Sequence, residues 1–391
     1  MPENKLVEIN TQKVSVAWFA SGFIGRSASG TAQTARKLVE FLLEHKFEQI
    51  EVNLIVKSVD EANLIKNDQV LSKSIVVILP DVHGNFLRSS RQFYKYILLN
   101  KKAKFDVVHF SVARLYPFFW KFPAKKFFCT FHAGGEITVP QDKFILSRHL
   151  YNFIIKLSWR KLDRIFADSK FGIDEIALNY HIPNRKIDLI HLGADHLWRI
   201  KPKKIELDLT KLNICVVGRW QQYKNVHSVL QAFMNLPDDL KSTFRIILIG
   251  KSNRLGNQIV QQVLDTMDKD FYTLYDYLPD NELKYIYRNA DLVIHPSINE
   301  GFGLPAFEAF GEGAPISIHL GTPADFYLSG EEMVFAINML DQEKIIELFK
   351  KIRSMRRVDI TTRRKFLKDH HMTWKQICSQ YSDYYLNLDR C

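Results

Sequence analysis

The sequence is short of the features that mark secreted, metal-bound and membrane-spanning chains. Its four cysteines, Cys129, Cys215, Cys378 and Cys391, form neither a CxxC pair nor a dense spacing. That excludes a disulfide scaffold and points to a reducing compartment. No apolar run reaches the roughly 18 residues that a spanning helix needs. Met1 to Asn10 carries Glu3 and Glu8 where a signal peptide would place a positive charge and then an apolar stretch. The expectation is a cytoplasmic protein, neither secreted nor transmembrane. The 13 histidines include no HxxxH or HExxH spacing. Asp268 and Asp270 form a DxD triplet in a polar segment that reads as solvated, so no metal site is expected.

What is present is the balance of a soluble globular protein, 46% hydrophobic and 25% charged over 391 residues, enough for two cores and too long for one ordinary core. The formal charge of +11 is uneven: residues 1–200 hold 29 Lys and Arg against 19 Asp and Glu, and the remainder is close to neutral. No acidic residue lies between Asp106 and Glu136, where Arg114, Lys121, Lys125 and Lys126 alternate with Tyr116, Phe118, Phe119, Trp120, Phe122, Phe127 and Phe128; Lys143 to Leu162 repeats the pattern. Mixed basic and aromatic surface suits the anionic inner face of a membrane, because charge attracts headgroups and rings settle at the interface. Two other readings compete: the rings are core and the lysines a solvated edge, or the basic half binds nucleic acid.

Short apolar runs alternate with segments of helical period, the signature of βα units and parallel sheets. Strands are expected over Val14–Ala20, Gln49–Val56, Ser74–Leu79, Val107–Ser111, Phe127–Phe131, Arg164–Ala167 and Ile187–His191. A second series covers Leu212–Val217, Arg245–Ile249, Tyr272–Leu274, Leu292–Pro296 and Ile316–Ile318. Between the series, Trp198 to Thr210 is polar and aperiodic, as a linker is. In doubly wound α/β domains ligands sit beyond the carboxyl ends of the strands, so the loops after strands should carry the chemistry.

Two such loops stand out. In VVGRWQQYKN, Arg219 follows the strand and Lys224 arrives five residues later as a helix begins. A planar fork, a point charge and free helix N–H groups together suit a diphosphate. In SINEGFGLPAFEAF, Gly301 and Gly303 permit close backbone approach, Pro305 suits a first helical turn, and the N–H groups of Phe302 to Leu304 form a cradle for anions or hydroxyls. Glu300 could accept from sugar hydroxyls and Glu308 from ribose hydroxyls. Surface cations and helix caps are the plainer readings of the same residues.

Taken together, VGRWQQYKN and ADLVIHPSINEGFGLPAFEA resemble the carboxyl-terminal half of the family 4 glycosyltransferases, whose signature is two glutamates separated by seven residues, here Glu300 and Glu308. The resemblance runs from Val14 to about Trp374. It implies a GT-B fold: two Rossmann-like doubly wound domains facing an interdomain cleft, with a C-terminal helix crossing back to the first. Residues 1–200 with 373–391 would form the acceptor domain, and 205–372 the donor domain. It implies that Arg219 and Lys224 bind the donor diphosphate, that Glu300 approaches the donor sugar and that Glu308 binds the ribose. FCTFHAGGE puts His132 near the donor sugar, FADSKFG supplies Ser169 and Lys170, LIHLGAD supplies Gly193 and Asp195, and YLPDNELKYIYRNAD puts Tyr277 and Leu278 beside the base. HHMTWKQ resembles the approach to the last helix.

The family opens with a glycine pair, whereas here Gly22, Gly25 and Gly30 are separate; Gly30 is the best match for backbone that meets phosphate or acceptor. The implied function is metal-independent, retaining transfer from a nucleoside-diphosphate sugar to a glycan or lipid-linked acceptor, in synthesis of a bacterial envelope polysaccharide such as lipopolysaccharide, O-antigen or capsule. No nucleic-acid partner is then expected. A catalytically silent sugar-nucleotide or glycan-binding protein is the alternative of a different class, and a phosphorylase or epimerase the other enzymatic one.

Overall fold

The computed structural model describes residues 13–20, 23, 30–45, 48–79, 86–100, 102, 104–111, 115–132, 145–250 and 257–388. One sheet contains β1 (Val14–Phe19), β2 (Ile50–Val56), β3 (Ile75–Ile78), β4 (Phe105–Phe110), β5 (Ala124–Phe131), β6 (Arg164–Ala167) and β7 (Ile187–Leu189), in the order β3-β2-β1-β4-β5-β6-β7. The other contains β8 (Leu212–Val217), β9 (Phe244–Ile249), β10 (Tyr272–Tyr275), β11 (Leu292–His295), β12 (Ile316–His319) and β13 (Val334–Ile337), in the order β10-β9-β8-β11-β12-β13. Pairing is parallel, as at β1 with β4 and β8 with β11. Parallel sheets carry helices on both faces, so their central strands are buried twice over and read as unbroken apolar runs; all four residues of β11 are buried. The strand that sequence reading missed is β13, a half-buried edge strand following Glu331 and Glu332, where a short run has no fully buried face to betray it.

The described residues up to Phe131, with 146–166 and those from Cys378 onward, form one compact unit; His132 and the rest, 167–377 included, form the second. In the first unit, Phe19 stacks on Phe110 at 5.3 Å and Phe93 on Phe122 at 5.2 Å. Tyr116, Phe119, Phe122, Phe127 and Phe128 are likewise buried. Most rings of that basic, aromatic stretch are therefore core, and Phe118, at 48% exposed, is the clear exception. The last helix, Trp374–Leu386, contributes Tyr381 and Tyr385 to this unit: His109 lies 2.6 Å from the Tyr385 hydroxyl and 2.8 Å from Thr130 Oγ1, and Tyr381 OH is 3.0 Å from the same threonine. A buried polar network satisfied at every member fixes one seating of the helix, where greasy contacts alone would allow several.

In the second unit two apolar clusters cover the two faces of the β8–β13 sheet. The expected linker is fastened along this unit, because buried Lys284 donates to Leu197 O at 2.7 Å, Trp198 O at 3.1 Å and Ile200 O at 2.9 Å. Gly193 lets the chain pass where a Cβ would stand 2.7 Å from Trp374 N, and Asp195 Oδ1 accepts from that same N–H at 2.7 Å. LIHLGAD and HHMTWKQ are thus two halves of one structural clasp. The DxD triplet is a cap: Asp268 accepts from Asp270 N at 2.9 Å, and both carboxylates stand at the exposed surface.

Candidate active site

Strand order in the second sheet reverses between β8 and β11, with β9 and β10 on one side and β12 and β13 on the other. Connections leaving adjacent strands in opposite directions open a crevice at the carboxyl ends. Arg219 follows β8 and the run from Glu300 to Leu304 follows β11, so the two loops singled out in the sequence border this crevice. Their backbones are joined: Ile298 N donates to Tyr223 O at 2.9 Å and Ser297 Oγ to the same oxygen at 3.2 Å. Asn225, fully buried with φ of 53°, donates to Met339 O at 2.8 Å and accepts from Ser228 Oγ at 2.6 Å. That turn sets Lys224 at the mouth of the helix Val226–Met234. Asparagine tolerates the left-handed region because its side chain bonds locally.

Lys224 Nζ donates to Glu300 Oε1, and His295 Nε2 lies 3.0 Å from the same oxygen. The three side chains are only 17%, 13% and 4% exposed, so this is a nearly dry cluster. Burial works against ionisation of Glu300, but the Lys224 ammonium and His295 outweigh it and hold the carboxyl well below the ordinary glutamate range. Glu300 is therefore an anion and a pure acceptor at any working pH.

Gly303 has φ of 88° and stands before the helix Leu304–Gly311, whose amino end no side chain caps and whose first turn holds Pro305. Gly301 O accepts from Ser169 Oγ at 2.6 Å; the same hydroxyl caps the helix Lys170–Tyr180 by accepting from Gly172 N at 3.0 Å. Phe302 is buried and stacks on Phe307 at 4.3 Å, and Leu304 packs against the core. What this run offers a ligand is thus backbone. Glu308, one turn along, takes the Tyr287 hydroxyl at 3.3 Å and lies 3.5 Å from His196 Nε2. Tyr277 is 60% exposed, whereas Leu278 is packed in the core and presents only its backbone. Arg219 is half-buried beside Gly218.

His132 follows β5, and its Nδ1 donates to Asp168 Oδ2 at 2.6 Å; Asp168 O in turn accepts from His191 Nδ1 at 2.9 Å. Carbonyls and carboxylates accept only, so both rings carry their proton on Nδ1. Burial pushes the His191 ring down, which keeps it neutral. Lys170 is exposed, with Nζ 5.2 Å from the Phe326 ring centroid. Gly30 opens the helix Gly30–Glu44 in the first unit; Gly22 and Gly25 lie outside the described residues. Sequence reading passed over Asp168, His196, Asn225 and His295. Of these, His295 had a readable signal, a polar residue closing an otherwise apolar buried strand. Among the described residues no three His, Cys, Asp or Glu side chains converge as metal ligands do.

The chain matches the profile of Glycosyltransferase Family 4 over residues 28–196 and that of Glycosyl transferases group 1 over residues 199–364. It is similar to the O-antigen chain mannosyltransferase RfbU of Salmonella typhimurium, 28% identical over 211 residues that cover 51% of this chain and 57% of that protein. The matched region thus spans little more than half of that relative. In fold it is similar to the sucrose-phosphate synthase of Thermosynechococcus elongatus (TM-score 0.71, 17% identity, 97% and 99% of the two chains covered). It is also similar to Anabaena Alr3699/HepE, solved with UDP and glucose (TM-score 0.66, 10% identity, 95% and 98% covered). These likenesses give the fold as GT-B.

Proposed function

The chain belongs to glycosyltransferase family 4, and on that premise we propose that it moves a sugar from a nucleoside-diphosphate donor to a glycan or lipid-linked acceptor, with retention of anomeric configuration, in the synthesis of a cell-surface polysaccharide. The observation that carries this reading is the meeting of Lys224 and Glu300 where β8 and β11 part. Cleaving the anomeric bond puts positive charge on the sugar and negative charge on the departing phosphate. Arg219, Lys224 and the backbone N–H groups at Phe302 to Leu304 supply fixed positive potential for that phosphate without a metal ion, a form of stabilisation worth several kcal/mol per donor. Glu300 and His132 orient the sugar, Glu308 holds the ribose, and the leaving phosphate oxygen takes the acceptor proton. A polysaccharide acceptor is supported by the O-antigen relative, which also makes mannosyl the first sugar to test. The decisive experiment quantifies nucleotide released from GDP-, UDP-, dTDP- and ADP-sugars with EDTA present, with and without saccharide acceptor. No cleavage of any donor would sink the reading.

Because Glu300 stays ionised, it neither gives nor takes a proton in turnover. Glu300→Gln is expected to lower kcat by about tenfold to a hundredfold while keeping the shape of the wild-type pH profile between about pH 5 and 8. A missing limb in the variant's profile would overturn the acceptor-only role. The sign for stability follows: the folded-state carboxyl is depressed, so its contribution is present above the ordinary glutamate range and is lost as pH falls below it. Acidification should therefore destabilise the wild type more than Glu300→Gln.

A membrane-side acceptor also has a surface to dock on. On the helix Ile145–Ser158 the exposed face carries Leu150, Phe153 and Leu157, with exposed Lys156, Arg160 and Lys161 flanking it, and no acidic residue from Lys143 to Leu162. Apolar side chains edged with cations match an anionic lipid interface. Phe153→Glu with Leu157→Glu, both at exposed positions, should weaken co-sedimentation with anionic vesicles by about tenfold or more and leave donor cleavage unchanged. Equal retention by neutral vesicles would exclude the proposal.

A further inference from the structure

The Glu300 carboxylate has two holders, and only one of them is a group a diphosphate would compete for. Lys224 donates to Oε1, and a dianionic phosphate entering the crevice beside Arg219 draws on the same ammonium. His295 Nε2 is 3.0 Å from that oxygen, yet the approach is bent away from a proper hydrogen bond, and Nδ1 has no partner among the described residues. An ionised carboxylate only accepts, so Nε2 carries the proton. His295 is thus a donor aimed at Glu300, anchored at the end of a fully buried strand and with Nε2 3.6 Å from where a Cβ on Gly303 would stand.

We propose that His295 is a positioning residue: it keeps Glu300 directed at the donor sugar once the diphosphate has engaged Lys224. The proposal rests on the glycosyltransferase reading and on Glu300 contacting the sugar. With Lys224 drawn to the phosphate, His295 is the carboxylate's one fixed donor from the protein, and its remaining lone pairs are left for sugar hydroxyls. Lys224 meanwhile is released to the phosphate. The role is separable from phosphate binding, since His295 touches neither the diphosphate-binding cations nor the base segment in any contact described above.

The test compares His295→Leu and His295→Gln with wild type for donor kcat and KM, and for affinity towards the free nucleoside diphosphate and the intact nucleotide sugar. The Gln amide N–H can donate to Glu300 where Leu cannot. The expected result is a kcat about tenfold lower in His295→Leu, nucleoside-diphosphate affinity within about threefold of wild type, loss of the extra affinity that the sugar confers, and recovery of at least part of both in His295→Gln. Equal kcat in His295→Leu and wild type overturns the proposal, as does parallel weakening of the diphosphate and the nucleotide sugar. A wild type that neither binds nor cleaves any donor overturns the glycosyltransferase reading itself, a separate outcome read in the same experiment.

Discussion

Lys224→Ala is expected to lower donor turnover by about a hundredfold to a thousandfold, the loss typical of removing one preorganised donor to a developing anion in a dry site. The ammonium has two employments. It neutralises Glu300 in the free protein and, on the proposed mechanism, the leaving phosphate in the transition state. Removing it leaves the Glu300 carboxylate, 13% exposed, with His295 alone, so the carboxyl should titrate closer to the ordinary glutamate range than in wild type. Turnover at saturating donor and nucleoside-diphosphate affinity should fall together, in contrast to the split expected for His295→Leu. Lys224→Arg keeps the charge but not the reach and should recover only part of the loss. Full turnover in Lys224→Ala would remove the loop after β8 from the mechanism.

The largest effect on stability is expected at Glu312, one turn beyond Glu308 and outside every proposed contact with substrate. This residue ends the helix Leu304–Gly311 and is fully buried, with Oε2 accepting from Arg288 Nε at 2.6 Å, Oε1 from Arg364 Nη2 at 2.7 Å, and Lys284 Nζ at 3.9 Å. Its own carbonyl accepts from Arg357 at 2.7 Å. Glu312→Ala removes the carboxylate to which Arg288 and Arg364 both donate. The arginines, 32% and 22% exposed at Arg288 and Arg364, can rehydrate in part, whereas Lys284, 3% exposed, loses its nearby counter-charge and keeps only its three carbonyl acceptors. Breaking a buried pair by deleting one partner costs about 3–5 kcal/mol, which should appear as a fall in Tm of roughly 10 °C. Glu312→Gln, keeping volume and one acceptor, should fall between. A Tm within about 2 °C of wild type in Glu312→Ala would mean that the cluster rehydrates freely. Because this helix also positions Glu308 and opens at Gly303, the destabilised variant should show weaker nucleotide binding as well.

Much of the fold was legible because its signals are local. A buried parallel strand such as Leu212–Val217 needs apolar residues on both faces, so its length and limits are written in a single run. Loops announce themselves by residue type: Gly303 because φ of 88° excludes most others, and Pro305 because it fits a helix start and little else. Val334–Ile337 escaped because an edge strand buries little and so imposes no pattern. The ring-rich stretch from Tyr116 to Phe128 suited both a membrane surface and a core. The structure buries most of those rings and leaves the exposed apolar face on the helix Ile145–Ser158.

The sequence alone determined two series of βα units, the loops that bear charge and glycine, and through their order the family. Tertiary structure decided which of those residues meet. Residues 224 and 300 are 76 positions apart and become partners only because β8 and β11 are neighbours in the sheet. His295 acquires a role only because Glu300 turns back onto it, and Asp168 becomes the hinge between two histidines only when two separate loops close around it. Propensity and periodicity act over a few residues and are therefore written in the chain. Burial and pairing are set by whatever the folded chain brings near, and it is they that decide protonation and hydrogen-bond direction at the site.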